Sequence, residues 1–256
     1  MSHAENVLQA LERAIQEHVT ESPGVMFSGG IDSTILAHML ARHTPPRLFT
    51  VGVEGSYDLR VGEETAGWLG LEWQGIVVDE GDLLEAIRGM TSILPTTNPV
   101  TLSFEMPFYL VASRVSERHL YSGQGADELF AGYARYMEMD MEERERAVRS
   151  DLAHLLDQGL SFETEIANSL GKELHYPYLH PGVRETVARI PIEEEFRDPL
   201  RKSVLRDVAS LLELDMVMNR KKKAAQYGSG IMKTLRSAAK ARGKTVRALV
   251  RELSSE

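Results

Sequence analysis

Between a short apolar run ending at Phe27 and a second one beginning at Ile31, the chain reads SGGIDST, residues 28–34. This turn restricts the possible folds more than any other stretch. Residues 24–27 form a short apolar run with the β-branched Val25, as a buried strand does. Ile31, Ile35, Leu36, Met39 and Leu40 then recur at helical spacing. The segment is therefore a strand–turn–helix junction, with residues 28–32 at or near the helix N-terminus.

A helix N-terminus leaves backbone N–H groups without intrahelical partners and carries partial positive charge, so it attracts anions. Gly29 and Gly30 let the backbone curl into a concave nest of N–H groups. Ser28, Ser33 and Thr34 add hydroxyl donors, and the set describes a phosphate cradle. Asp32 would repel a phosphate unless a divalent cation lay between them. Gly-Gly turns and Ser or Asp caps also occur at ordinary strand–helix junctions, so this turn alone leaves both readings open. The lysine of the common ATP-binding loop G-x-x-x-x-G-K-[ST] does not follow Gly30.

The pattern continues along the chain. An amphipathic helix over 4–19 precedes the strand at 24–27. A helix over 32–42, an apolar run over 48–53 and a helix over 59–69 follow. Next come a strand over 74–78, a helix over 80–90, a loop LPTTNPV, a helix over 103–117 and a short strand over 119–121. Alternating strands and helices predict an α/β fold, a parallel twisted sheet flanked by helices. Beyond Ala126 the signal is mostly helical, broken at HYPYLHPG and DPL. Ligands bind beyond the carboxyl ends of the strands in such sheets. SGGIDST, VGVEGS and YSGQGADE all follow strands and are expected to converge there.

YSGQGADELFAGY is a second glycine-rich turn after a strand, again followed by acids, Asp127 and Glu128. Acids at a helix N-terminus favour the helix dipole whatever they bind. That explains either acid alone but not two strand ends that each offer Ser-Gly and an Asp. The pairing predicts a triphosphate between the two loops, with Mg2+ joining phosphate oxygens to Asp32 and Asp127.

The 256 residues contain no cysteine, which excludes disulfides, thiolate metal sites and a cysteine nucleophile. The start lacks a signal-peptide pattern and no apolar run is long enough for a membrane span, so a cytoplasmic protein is expected. The eight histidines show neither H-x-E nor H-E-x-x-H spacing and predict no zinc site. His175 and His180 flank PYL and read as turn histidines. Ser28 has no histidine near it in sequence and reads as a phosphate donor rather than a nucleophile. Net charge is −9, yet from Arg220 onward eleven basic residues face two acidic ones. A solvated basic helix explains this tail, and so does an anionic partner.

SGGIDST resembles the SGGxDS motif of the PP-loop ATP pyrophosphatases, which split ATP between its α- and β-phosphates. Within that superfamily the chain resembles the synthetase domain of asparagine synthetase. FTVGVEGSYD is similar to the segment that holds adenosine, and SFEMPFYLVASR to a helix starting near the substrate. YSGQGADELFAGY is similar to SGEGxDExFGGY. The stretch from GLSFETE to HYPYLHPGVRETV resembles the run into RVPFLD, and NRKKKAAQYGSG resembles R-x-K-x-x-x-x-x-G. The likeness covers most of residues 24–230, in the family's order.

The resemblance implies an adenine-nucleotide α-hydrolase-like fold. It assigns 24–230 to the synthetase domain, 1–23 to a helix packed on it and 231–256 to a basic C-terminal helix. Ser28, Gly29, Gly30, Asp32 and Ser33 would hold the pyrophosphate half of ATP. The backbone of Val51 or Val53 would contact adenine, with Ser122 and Gly123 near the nucleotide. Asp32 and Asp127 would bind Mg2+, and Lys222 or Lys223 would be the catalytic lysine. The implied reaction is adenylation of a carboxylate, aspartate in the family, followed by transfer to ammonia.

Two departures stand out. The family's glutaminase domain, with its cysteine nucleophile, has no counterpart before residue 24, so the expected nitrogen source is ammonia or a separate glutaminase subunit. Gln124 stands where the motif has Glu, which leaves Glu105 or Glu128 to act in its place. A second copy of the chain and, through the basic tail, tRNA are further candidate partners. The alternatives to the amide ligase are a PP-loop enzyme adenylating another acid or tRNA and a catalytically silent ATP-binding subunit.

Overall fold

The computed structural model describes residues 1–197, 200–218 and 228–255. Its first helix, α1 (His3–Gln16), opens with a capping box in which Ser2 and Glu5 bond each other's backbone N–H. Val7, Leu11, Ala14 and Ile15 form its buried stripe. Then follow β1 (Gly24–Met26), α2 (Ile31–Ala41), β2 (Arg47–Gly52), α3 (Tyr57–Leu69) and β3 (Trp73–Val77). The helices α4 (Glu80–Ile93) and α5 (Pro99–Ala112) precede β4 (His119–Tyr121), and β5 (Glu173–His175) closes the sheet.

The five strands of this sheet are parallel, in the order β3-β2-β1-β4-β5, and Phe196–Arg197 and Leu200–Arg201 form a separate antiparallel pair. The α/β expectation is therefore correct. Strand side chains alternate between two cores. Leu48 and Tyr121 enter the one shared with α1, α2 and the helix Ser203–Leu211, while Phe49 and Leu120 enter the one shared with α4 and α5. Helix α2 is buried on nearly every side, from Ile31 to Leu40.

The strand order places the site. From β1 the chain winds outward through β2 to β3, whereas β4 leads to β5 on the other side. The sheet therefore reverses direction between β1 and β4. At such a switch point the loops leaving adjacent strands diverge and open a crevice. The two loops leaving here are SGGIDST and the turn after Tyr121.

Three stretches differ from expectation, the first being β5, a fifth parallel strand in a region expected to be mostly helical. The helix expected over 103–117 runs from Pro99 to Ala112. Asn98 caps it by accepting from the Val100 N–H, and Pro99 occupies the first turn, where no N–H is needed. The basic tail expected as one helix contains two, Ile231–Ala241 and Val246–Leu253. They break at Gly243, whose φ is +65°, and Thr245 caps the second. Leu235, Ala238, Leu249 and Val250 pack these helices onto the core of α4 and α5, while Lys233, Arg236, Lys240 and Arg247 are exposed. Among the described residues no helix is long and apolar enough to cross a membrane.

Candidate functional site

The first loop is tied together by its own hydroxyls. The Ser33 hydroxyl accepts from the Ser28 N–H at 3.2 Å and donates to the Gly30 carbonyl at 3.3 Å. The Ser28 hydroxyl lies 3.2 Å from that of Ser33 and accepts from the Gly30 N–H at 3.3 Å. Gly29 has φ +66°, and a Cβ there would sit 2.7 Å from the Val61 carbonyl oxygen of α3. Only glycine suits the position, because both its conformation and its space exclude a side chain. Gly30 is the N-cap of α2, so the loop leads directly into the helix N-terminus.

The second loop lies against the first. A Cβ on Gly123 would be 3.3 Å from Asp32 Cβ. Ser122 is held at its start by donating its N–H to the His175 carbonyl of β5 at 3.0 Å. Asp32 is further supported from behind by Tyr178, whose buried hydroxyl donates to the Asp32 carbonyl at 2.9 Å. The sequence stretch PYL is thus packing that reaches the site.

The structure brings Asp32 and Asp127 together on a residue that sequence reasoning missed, Lys202. Its Nζ lies 2.6 Å from Asp32 Oδ1 and 2.8 Å from Asp127 Oδ1. The residue is 4% exposed. It caps the helix Ser203–Leu211 in the left-handed conformation, with φ 56° and ψ 42°. A non-glycine residue there stores on the order of 1–3 kcal/mol of strain, which surrounding contacts must offset. Gly132 makes the approach possible, since a Cβ on it would fall 2.0 Å from Asp127 Oδ1 and 2.2 Å from Lys202 Cε. The glycine of FAGY was a visible signal, although it did not identify its partner.

The pair of carboxylates fits a shared cation: two strands present them to one position, and carboxylate oxygens are the donors that Mg2+ takes. Here a lysine ammonium of the chain itself holds that position.

The remaining site residues are placed as follows. The Val53 N–H donates to the Ser229 carbonyl at 2.9 Å. The Val53 N–H is therefore not spare, and Val51 lies inside β2, opposite Ile76 of β3. Lys222 and Lys223 lie outside the described residues. Ser229 sits at the carboxyl end of β2, through its carbonyl's bond to Val53.

A string of buried and half-buried acids extends from the second loop. Glu128 is buried and accepts from the Tyr133 hydroxyl at 2.5 Å. Burial raises it above the usual carboxylate range, more than Tyr133 and its other partners offset. Glu163 accepts from the Tyr176 hydroxyl at 2.6 Å and is likewise raised by burial. Glu105 of α5 is pushed up to about 8, by burial first and by the neighbouring Glu163 second. Gln124 carries no charge; its N–H donates to the Ser122 hydroxyl at 3.2 Å.

The chain matches the family described as asparagine synthase over residues 6–161 and 137–253. A putative asparagine synthetase (glutamine-hydrolyzing) 1 of Methanocaldococcus jannaschii is 29% identical over 284 residues, which cover 93% of this chain and 52% of the relative. Asparagine synthetase B (glutamine-hydrolyzing) of Escherichia coli is 28% identical over 226 residues, covering 78% of this chain and 40% of the relative. The chain thus spans about half, or less, of the length of these relatives. Among solved structures, an NMN synthetase of Francisella tularensis is similar at 15% identity and a TM-score of 0.47, covering 99% of this chain and 85% of that one.

Proposed function

The chain belongs to the asparagine synthase family, and from that premise we propose that it is an ATP-dependent amide ligase. In this reading it adenylates a carboxylate substrate, aspartate or a close relative, with release of pyrophosphate. Ammonia then attacks the acyl carbon and displaces AMP. Adenylation addresses the chemical obstacle, which is that a carboxylate oxygen leaves poorly.

The observation that carries this reading is the convergence of Asp32 and Asp127, from two glycine-rich turns at the switch point, on one cation position. Backbone N–H groups at the start of α2 and the hydroxyls of Ser28 and Ser33 bind the pyrophosphate half of ATP. Lys202 keeps the two carboxylates together, because carboxylates so placed otherwise repel. Asp32 and Asp127 would hold Mg2+, which would supply neutralisation of charge on the phosphate oxygens. Lys222 or Lys223 stabilises charge that develops on the α-phosphate and the acyl oxygen.

With glutamine at position 124, proton acceptance from the incoming amine falls to a neighbouring acid. Glu128 is our assignment. It follows Asp127 directly, and its raised pKa makes it a stronger base than an ordinary carboxylate.

The test is incubation with ATP, Mg2+, aspartate and ammonium, with AMP, pyrophosphate and asparagine quantified with and without aspartate. Aspartate-dependent AMP in step with asparagine supports the ligase. AMP formed regardless of aspartate moves the substrate to another acid or to tRNA. ADP as the nucleotide product overturns the adenylating mechanism, and tight ATP binding without turnover points to a silent ATP-binding subunit.

A further inference from the structure

Four of the eight histidines line up across the β4–β5 edge of the sheet. The His119 and His175 rings are 5.3 Å apart, and His18 lies 6.0 Å from both His175 and His180, centroid to centroid. Two trios within this row bring ligand atoms close enough to share an ion: His119, Glu173 and His175, and Glu17, His18 and His180. The chemistry of their nitrogens separates them. His180 Nδ1 accepts from the Gly182 N–H at 3.2 Å, so its Nε2 carries the proton and faces Glu17 Oε2 at 3.0 Å. Both nitrogens are therefore committed, Nδ1 to capping the helix Pro181–Val187 and Nε2 to Glu17, and a metal there would have to break one of these bonds.

The other trio has the opposite character. His119 stands directly opposite Glu173 in the parallel pairing, and His175 is two residues further along β5, so all three share one face. His119 Nδ1 lies 3.1 Å from His175 Nε2 and 3.3 Å from Glu173 Oε2. Ligand atoms about 2.0–2.2 Å from one tetrahedral ion are themselves roughly 3.3 Å apart. His119 Nδ1 stands at about this spacing from both other ligand atoms, and all three lie within 4.8 Å of one another.

We propose that His119, His175 and Glu173 form a site for a divalent transition-metal ion of the zinc type, separate from the Asp32–Asp127 pair. Two imidazoles and one carboxylate suit such an ion and not Mg2+, which takes oxygen donors. The surroundings support the assignment. Arg118 Nη2 donates to Glu173 Oε1 at 2.5 Å and orients the carboxylate, as outer partners of metal ligands do. Tyr121 stacks on the His175 ring at 4.5 Å and fixes its plane. His119 and Glu173 are 28% and 46% exposed, which gives an ion an entry path and leaves room for water as a fourth ligand.

The ion would clip the edge strand β5 to β4. It would act close to the nucleotide loops, because the His175 carbonyl holds the Ser122 N–H. Local spacing hides the site, since His119 and His175 are 56 residues apart in sequence.

The test uses the full chain, stripped with chelator and titrated with zinc chloride by calorimetry in a non-coordinating buffer. The expected result is one equivalent bound, at unchanged affinity in saturating Mg2+. His119→Gln, His175→Gln and the surface change Glu173→Gln should each weaken binding by about tenfold or more. His180→Gln should leave it unchanged. Zinc should raise the thermal midpoint of the wild-type protein and not that of Glu173→Gln. No saturable binding, binding that survives all three ligand substitutions, or binding abolished by His180→Gln would each overturn the proposal.

Discussion

Lys202 Nζ lies 2.6 Å from Asp32 Oδ1, across 170 residues of sequence, and both groups are buried. The lysine reaches Asp127 from the same position. One ammonium between two carboxylates leaves these three groups with a net negative charge.

Removing the ammonium should therefore cost more than a surface ion pair does. Lys202→Ala leaves two carboxylates facing each other out of water, a loss on the order of 3–5 kcal/mol. Urea unfolding midpoints of the wild type and variant would measure it. A loss below about 1 kcal/mol, the level of an exposed pair, would show that the pair contributes little.

Gly132 provides a more conservative probe. The Cβ of Gly132→Ala would collide with Asp127 Oδ1 and Lys202 Cε, so the side chains must separate. Stability should fall by about 1–3 kcal/mol, as for other overpacked sites. AMP formation should fall further than stability accounts for, measured at a temperature where the variant is fully folded. Full activity would mean that the Lys202–Asp127 contact is dispensable to the reaction.

The nucleotide cradle is probed at Asp32. Asp32→Asn keeps the shape and removes the charge that we assign to Mg2+. ATP-dependent AMP formation should drop at least about a hundredfold, in line with the loss of one preorganised electrostatic group. ATP binding, followed by fluorescence of a labelled nucleotide, should become insensitive to Mg2+. Retained Mg2+ dependence would remove Asp32 from the metal's ligands.

Glu105 sets a pH dependence of stability. Its carboxyl is raised from 4.5 to about 8, so between those values the folded chain holds a proton that the unfolded chain has released. Stability therefore falls as pH rises through this window and levels off above it. Glu105→Gln has no such proton to lose. From pH 5 to pH 8 the wild type should lose a few kcal/mol more than the variant, read from chemical denaturation at both pH values. Glu195, also raised to about 8, is present in both proteins and cancels in the comparison. Equal losses would show that Glu105 does not titrate in this range.

Tyr178 links the PYL turn to the first loop. Tyr178→Phe deletes the hydroxyl that the Asp32 carbonyl accepts from and should cost about 1–2 kcal/mol. The unfolding midpoint checks this, and an unchanged value would place the hydroxyl outside the energetics of the loop.

Features decided within a few residues were legible in the sequence. The period of apolar residues in 24–40 and 48–53 marked strand and helix, because burial on one face or both imposes that period wherever the segment ends up. The two Ser-Gly turns were legible for the same reason, since a tight backbone turn needs glycine locally. Other features were hidden, some because a local signal reads two ways and some because distant segments meet. The start of α5 was set by the Asn98 cap and Pro99, in a stretch whose composition reads as loop. The tail divides at Gly243, where a helix pattern alone shows no break. Lys202 carried no local signal, because its significance comes from the sheet reversing between β1 and β4, which brings Asp32 and Asp127 to one point. His119 and His175 meet only because β4 and β5 are neighbours in a particular register. Short-range sterics and hydrophobic periodicity are written residue by residue, whereas charge pairing and ligand convergence act through space, and only the packed topology sets those distances.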